Sequence, residues 1–443
     1  MDNGRVSDLP ERSSRRTAKL ASLPLSAAGR AASGVGKRLT GQSADAVSAA
    51  NREKAAAQLF EVLGTLKGGA MKLGQALSVF EAALPDDMAA PYRDALVKLQ
   101  EEAPPMPSAT VNRVLDEQFG TRWRERFTSF DDTPAAAASI GQVHRGTWHD
   151  GREVAVKIQY PGAGPALMAD LTQLSRFARL YGMITPGLEI KPLIEEIRAR
   201  VIDELDYRLE ADAQRAFATA FADDPDFLVP SVVASAPKVV ISEWIDGTPV
   251  RHVISDGSQA DRDRAGELLS TLTFAGPARA GYLHADPHPG NYRLMADGRL
   301  GVLDFGAVKS LPDGLPAFIG ECIRLVIDER ADDAMAALRE HGFVQPHIEV
   351  DAQELLDYLS PILAPLTSDT FQFTREWLKA EAARLTNPRG PAMRFGRMLN
   401  LPSEYLMIHR VFIGSIGILC QLRAEAPYAQ IVTDWLPGYA PEV

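Results

Sequence analysis

The stretch His284-Ala285-Asp286-Pro287-His288-Pro289-Gly290-Asn291 decides the fold, together with Asp304-Phe305-Gly306, which begins thirteen residues further on. Phosphoryl transfer requires a carboxylate beside the attacking hydroxyl or water, and oxygen ligands for Mg²⁺. The spacing His-x-Asp-x-x-x-x-Asn supplies Asp286 and Asn291 from one loop, and Asp304 follows an apolar run. The triplet Asp-Phe-Gly alone is weak, but both motifs in this order and spacing predict a site in which Asp286 orients the nucleophile and Asn291 and Asp304 bind Mg²⁺.

A strand ending in a lysine, Val154-Ala155-Val156-Lys157, lies upstream of these motifs. Such a lysine can reach the α- and β-phosphates of ATP. The segment before it, 134–143, follows the kinase pattern G-x-G-x-x-G-x-V only at Gly141 and Val143, because alanines replace the first two glycines. Alanine does not visit positive φ cheaply, so we expect a stiffer phosphate loop. The residues predicted to border the nucleotide here are Ala136, Ala137, Ala138, Ser139, Val143, Ala155 and Lys157.

The segment Lys191–Phe221 has an apolar stripe at helical spacing, which predicts one long helix with a core-facing side. It also carries the acids Glu204, Asp206 and Glu210. On one continuous helix, residues six apart point about 120° apart, so Glu204 and Glu210 are not expected to share a partner.

A later strand, 238–244, ends in Glu243 and Trp244. We place these two residues at the junction of the lobes by position alone, with backbone groups facing the adenine.

The totals favour a soluble globular protein of more than one structural unit, with 443 residues, 46% hydrophobic and 24% charged. A net charge of −11 argues against a nucleic-acid partner, and two distant cysteines argue against a disulfide framework or zinc site. The order of elements predicts a bilobal α+β protein. We divide the chain into a disordered basic tail, a helical extension, a β-rich N-lobe and a mostly helical C-lobe, at 1–45, 46–128, 129–245 and 246–443.

Two segments bear on membrane contact. Residues 1–40 hold eight Lys or Arg against three Asp or Glu, so a solvated tail or docking to an anionic membrane surface are both open. The apolar run Val411–Cys420 is too short to cross a bilayer and is flanked by charges, which favours a buried helix. We expect a cytoplasmic protein, with any membrane contact peripheral and on the inner face.

Several of these motifs together resemble the UbiB/AarF (ADCK-type) atypical kinases, a protein-kinase-like family linked to isoprenoid quinone biosynthesis. Lys72-Leu73-Gly74-Gln75 is similar to the K-x-G-Q signature of the family, Ala135–Ala138 to its alanine-rich loop, and Glu204-Leu205-Asp206 to its E-x-D motif. The resemblance implies that the extension carrying Lys72 and Gln75 lies over the cleft near Glu204 and Asp206, and that Glu210 pairs with Lys157. It implies ATP and Mg²⁺ as cofactors, and ATPase activity or phosphorylation of a prenyl-lipid or quinone precursor.

Two other readings stay open. An aminoglycoside-type small-molecule phosphotransferase shares His-x-Asp-x-x-x-x-Asn but does not account for Lys72–Gln75 or the alanine loop. A non-catalytic nucleotide-sensing scaffold is disfavoured because every catalytic position is filled.

Overall fold

The structure is a computed structural model that describes residues 105–138, 140–165, 167–168, 172 and 189–440. The predicted basic tail and most of the predicted extension, including Lys72 and Gln75, lie outside the described residues, as does Ser139. The proposed division of the chain into domains stays a prediction.

A six-stranded antiparallel sheet forms the smaller, N-terminal lobe. Its strands run in the order β1-β3-β4-β7-β6, with β2 beside β3. Their bounds are Phe127–Phe130 (β1), Ala136–Ala138 (β2), Gly141–Trp148 (β3), Glu153–Gln159 (β4), Val232–Ala236 (β6) and Val239–Glu243 (β7). The alanine-rich segment is therefore the short strand β2, which pairs with the start of β3 in a hairpin.

Alternation along β4 gives the sheet two different faces. Val154, Val156 and Ile158 are fully buried. They share a core with Val114 and Leu115 of helix α1 (Ser108–Phe119). A turn at Asp150-Gly151 joins β3 to β4, and Gly151 adopts a φ of +92°, which favours glycine.

The predicted helix over Lys191–Phe221 is in fact two helices. Helix α2 spans Ile190–Asp203 and α3 spans Tyr207–Ala220. The break falls at Glu204-Leu205-Asp206, because the Asp206 side chain accepts a hydrogen bond from the backbone N–H of Arg208 and caps the start of α3. The expectation that Glu204 and Glu210 diverge on one helix is therefore wrong.

The larger, C-terminal lobe is mostly helical. Its helices are Val250–Asp256 (α4), Gln259–Ala280 (α5), Ala317–Ile327 (α6), Ala331–Glu340 (α7), Ala352–Leu363 (α8), Arg375–Thr386 (α9), Pro391–Gly396 (α10), Leu406–Leu422 (α11) and Tyr428–Trp435 (α12). Its short strands are Phe227–Leu228 (β5), Thr248–Pro249 (β8), Tyr282–His284 (β9), Tyr292–Leu294 (β10), Leu300–Val302 (β11), Val308–Ser310 (β12), Phe371–Gln372 (β13) and Glu425–Ala426 (β14). The predicted bilobal α+β arrangement is confirmed.

Helix α11 contains the apolar run that the sequence singled out. The segment Ser403–Leu422 is the one part of the described chain long and apolar enough to pass as a membrane span, and 44% of it is buried inside the protein. One face of α11 packs on the loop that holds Asp286, since a Cβ on Gly414 would come within 2.6 Å of Pro287 Cγ.

Candidate active site

The cleft between the lobes brings four acids and one lysine of the predicted site together. Lys157, Glu204, Glu210, Asp286 and Asp304 line one pocket. Its other walls come from the hairpin turn, the start of α3 and the loop after β11, and the residues there are Ile140, Tyr207, Gly306 and Ala307. Five parts of the chain thus meet at this pocket.

Lys157 is the link between the lobes. Its Nζ donates to Glu210 Oε1 at 2.7 Å and to Asp304 Oδ2 at 3.0 Å. Although burial alone lowers the pKa of Lys157, the carboxylates of Asp304 and Glu210 raise it well above its ordinary value, so the ammonium stays charged. The lysine therefore provides a fixed positive charge beside the two carboxylates.

The pairing of β3 with β4 determines which residues lie on the same face of the sheet as Lys157. In the antiparallel pair, Val143 on β3 lies directly opposite Lys157 on β4. Ala155 lies two residues before Lys157, so strand alternation places all three on the same face of the sheet. This face meets the cleft, whereas the opposite face carries the buried valines of β4.

The hairpin that carries Ala136, Ala137 and Ala138 covers this region through a close backbone contact. A Cβ on Gly141 would come within 2.3 Å of the Ile158 carbonyl oxygen and 2.9 Å of the Tyr207 hydroxyl. Glycine is therefore needed at 141 for close approach, while β2 itself needs no glycine because it is a paired strand.

The loop after β9 orients Asn291 and Asp286 against each other. Asn291 Nδ2 donates to Asp286 Oδ2 at 2.9 Å and to the Asp286 carbonyl at 3.0 Å. Since the amide nitrogen is used in this way, Asn291 presents its Oδ1 as an acceptor elsewhere. An oxygen is what a hard cation such as Mg²⁺ requires.

Asp304 is held in place by its neighbours. Its Oδ1 accepts from the Gly306 N–H at 2.9 Å. The Asp304 carbonyl accepts from His284 Nε2, and burial lowers the pKa of this imidazole, so His284 is neutral. Its other nitrogen, Nδ1, then accepts from the Tyr292 hydroxyl at 3.1 Å.

The side chain of Phe305 helps to hold the segment that carries Asp304 in place. It is fully buried, and its ring lies 5.0 Å from that of Phe217 on α3. Since α3 also carries Glu210, this packing ties the position of Asp304 to the carboxylate that it faces across Lys157.

Other candidate residues lie away from this cluster. Asp206 forms a 2.6 Å ion pair with Arg208, whose hydrogen bonds lower the Asp206 pKa. The backbone N–H groups of Glu243 and Trp244 donate to the Ser231 and Glu153 carbonyls, and the contact of these residues with adenine stays a prediction.

Sequence reasoning missed Tyr207 and Arg410. The Tyr207 ring lies 5.2 Å from Lys157 Nζ, and Arg410 on α11 lies 3.8 Å from Asp286 Oδ1. Tyr207 directly follows Glu204-Leu205-Asp206, which was the available signal. Arg410 gave none, because nothing in the sequence indicates that α11 crosses the Asp286 loop.

Two observations bear on a bound metal nucleotide. Within the described ranges, no three His, Cys, Asp or Glu side chains gather at metal-binding distance. Mg²⁺ in phosphoryl-transfer sites takes one or two protein ligands and completes its shell with phosphates and water, so Asn291 and Asp304 fit it. The space between the cleft residues is only about 20 Å³, so a triphosphate enters only if the cleft opens.

Comparison with known proteins places these features in a family. Residues 98–337 match the model of the ABC1 atypical kinase-like domain. The atypical kinase COQ8B, mitochondrial, of Danio rerio is 27% identical over 403 residues, which cover 89% of this chain and 62% of that protein. A Synechocystis protein, slr1919, is 30% identical over 88% of this chain and 69% of its own length.

A solved structure is similar over nearly the whole chain. Rv3197 from Mycobacterium tuberculosis, determined in complex with erythromycin, is 48% identical with a TM-score of 0.67. The match covers 90% of this chain and all of that one. By contrast, the chain spans 62% of the Danio rerio relative and 52% of the Caenorhabditis elegans relative, the atypical kinase coq-8.

Proposed function

Because this chain belongs to the ABC1 atypical kinase-like family, we propose that it binds MgATP between its two lobes and transfers or hydrolyses the γ-phosphate. The observation that carries the proposal is the bridge from Lys157 to Glu210 and Asp304. The charged ammonium of Lys157 lies at hydrogen-bond distance from two carboxylates: Glu210, which orients the lysine, and Asp304, which is suited to bind a metal ion. Phosphoryl-transfer sites use this arrangement.

Each residue has a role that follows from its contacts. Lys157 keeps its hydrogen bond to Glu210, gives up its hydrogen bond to Asp304 and binds the phosphates instead. Asn291 Oδ1 and Asp304 would hold Mg²⁺, which when bound neutralises charge on the phosphates. Asp286 accepts a hydrogen bond from the attacking hydroxyl or water and receives its proton.

We further propose that the acceptor, where it is not water, belongs to prenyl-lipid or quinone metabolism. Support comes from the motif resemblance and from the COQ8 names of the relatives. The names of several relatives place them in mitochondria or chloroplasts. For this chain we propose a cytoplasmic location with peripheral contact at the inner membrane face.

A second candidate is an antibiotic-directed phosphotransferase, since the similar Mycobacterium tuberculosis protein was solved with erythromycin. The two candidates separate in one assay of γ-phosphate release and transfer. Anionic liposomes with prenyl-phenol mimics should stimulate release under the first proposal, and erythromycin under the second. Binding of ATP without turnover in any arm would favour the sensing scaffold.

The first test of the proposal is thermal unfolding with nucleotide. MgATP at about one hundred times its Kd should stabilise the protein by about 2.7 kcal/mol and raise Tm. Asp304→Asn should remove the magnesium-dependent part of that rise, because an amide is a poorer ligand than a carboxylate for a divalent cation. Asp313→Asn, at an exposed loop position of the same lobe, is the matched control. An unchanged magnesium effect in Asp304→Asn would remove this residue from the site.

A further inference from the structure

A large hollow, partly open to solvent, lies in the C-terminal lobe, apart from the nucleotide cleft. Its volume is about 1740 Å³, and helices α5, α8, α9, α11 and α12 contribute most of its wall. Drug-sized ligands occupy sites of roughly 300–1,000 Å³, so this space exceeds them. None of the residues that line the cleft pocket lines the hollow.

Helix α9 forms one side of the hollow without filling it. None of its residues is buried. Its apolar side chains Trp377, Leu378 and Leu385 nevertheless face inward, and Phe412 and Ile416 of α11 line the wall as well. Trp377 and Leu378 also pack against the neighbouring core, so the apolar side of α9 lies partly on that core and partly along the hollow.

Several polar groups of the wall make their hydrogen bonds within the protein, whereas the buried Ser270 hydroxyl has no hydrogen-bond partner among the described residues. Thr273 donates to the Leu269 carbonyl at 2.9 Å, and Thr386 to the Ala382 carbonyl at 2.6 Å. The Tyr428 hydroxyl donates to the Ala424 carbonyl at 3.2 Å. Glu381 is paired with Arg384 at 2.8 Å. A ligand with many hydroxyl groups would therefore find few partners.

Two further wall residues add no charge or free amide. His409 lines the hollow, and desolvation there lowers the pKa of its imidazole, which favours the neutral form. The Asn400 amide donates to the Gly342 carbonyl at 2.9 Å and accepts from the Glu189 N–H at 3.1 Å. Apart from the Ser270 hydroxyl and the charged side chains Lys379, Glu381 and Arg397, the hollow offers a mainly apolar wall.

An apolar space of this size has a physical consequence. If the hollow is empty, the side chains along its wall lack van der Waals partners on that side. Water in this space finds few polar partners along the wall, whereas apolar molecules bind readily to such a surface. A long flexible hydrocarbon meets both conditions, since it fills an irregular volume and requires almost no hydrogen bonds.

We propose that the hollow binds one long hydrocarbon chain, of acyl or isoprenoid type, at a site separate from the nucleotide cleft. The proposal does not depend on turnover of ATP. It favours a hydrocarbon over a macrolide such as erythromycin, whose hydroxyl groups would lose their partners in water without replacement.

The test uses cis-parinaric acid, a fluorescent polyene fatty acid that accepts energy from tryptophan. We expect saturable energy transfer in the full chain and weaker transfer in Trp377→Phe, because Trp377 lines the hollow while Trp435 on α12 remains as a donor. Oleic acid and geranylgeraniol should each displace the probe if both chain types bind. Displacement by only one of them would identify the chain type, and the proposal would stand.

A pair of variants on α9 provides the matched control. Ala382→Trp places bulk in the hollow and should raise the probe dissociation constant about tenfold or more. Ala380→Trp, exposed on the same helix and outside the wall, should leave it unchanged. If Ala382→Trp fails to fold, the Trp377→Phe result decides alone. The proposal is overturned by non-saturable binding, by undiminished transfer in Trp377→Phe, or by displacement with erythromycin but with neither hydrocarbon.

Discussion

Replacing Lys157 by Met is expected to lower the free energy of unfolding by about 3–5 kcal/mol, because it leaves buried carboxylates without their cation. The side chain of Glu210 is only 4% exposed and that of Lys157 14%. Chemical denaturation without nucleotide measures the effect directly. Lys238→Met is the control, since that lysine is exposed and its pairing with Glu117 is long, at 3.9 Å. It should change stability by no more than about 0.5 kcal/mol.

The same pair supports a double-mutant cycle. Glu210→Leu in the Lys157→Met background should recover much of the lost stability, because a buried ion pair replaced by apolar residues is often close to neutral. The losses should therefore be far from additive. Additive losses would show that Lys157 and Glu210 do not interact, and the proposed phosphate site would lose its orienting carboxylate.

The largest expected effect on activity belongs to Asp286→Asn. Removing a group that accepts a proton in the transition state costs about 10²–10⁴-fold in rate. We expect kcat for γ-phosphate release to fall by that amount while KM for ATP changes little, because Asp286 contacts the nucleophile rather than the nucleotide. An asparagine can still accept the hydrogen bond from Asn291, so the loop should keep its shape.

Asp297→Asn controls for a charge change elsewhere in the same lobe. Asp297 lies in an exposed turn and pairs with Arg299 at 2.8 Å. Its substitution should leave kcat unaltered. Turnover by Asp286→Asn at the unmodified rate would show that another group orients the nucleophile.

Much of the cleft could be predicted from the sequence because its residues lie in short motifs with fixed spacing. Asp286 and Asn291 share one loop, so their contact depends on local geometry alone. The predicted strand Val154–Lys157 lies within β4, which continues for two residues beyond Lys157. The meeting of Lys157 with Asp304, by contrast, depends on packing between lobes, and a motif indicates it only through resemblance.

The misses have physical causes as well. The apolar stripe continues through Glu204-Leu205-Asp206, so periodicity alone did not reveal that Asp206 would end one helix and cap the next. The hollow arises where several helices of the C-terminal lobe do not pack closely against each other, so no single segment of the sequence predicts it.

The central claim is that Lys157, Asp286, Asn291 and Asp304 form one site for a metal-bound triphosphate between the lobes. The most direct measurement is the anomalous scattering of Mn²⁺ in crystals grown with a non-hydrolysable ATP analogue. We predict a single strong peak between the Asn291 amide and the Asp304 carboxylate, with the analogue's phosphates against Lys157. A peak elsewhere, or a nucleotide bound outside the cleft, would contradict the account.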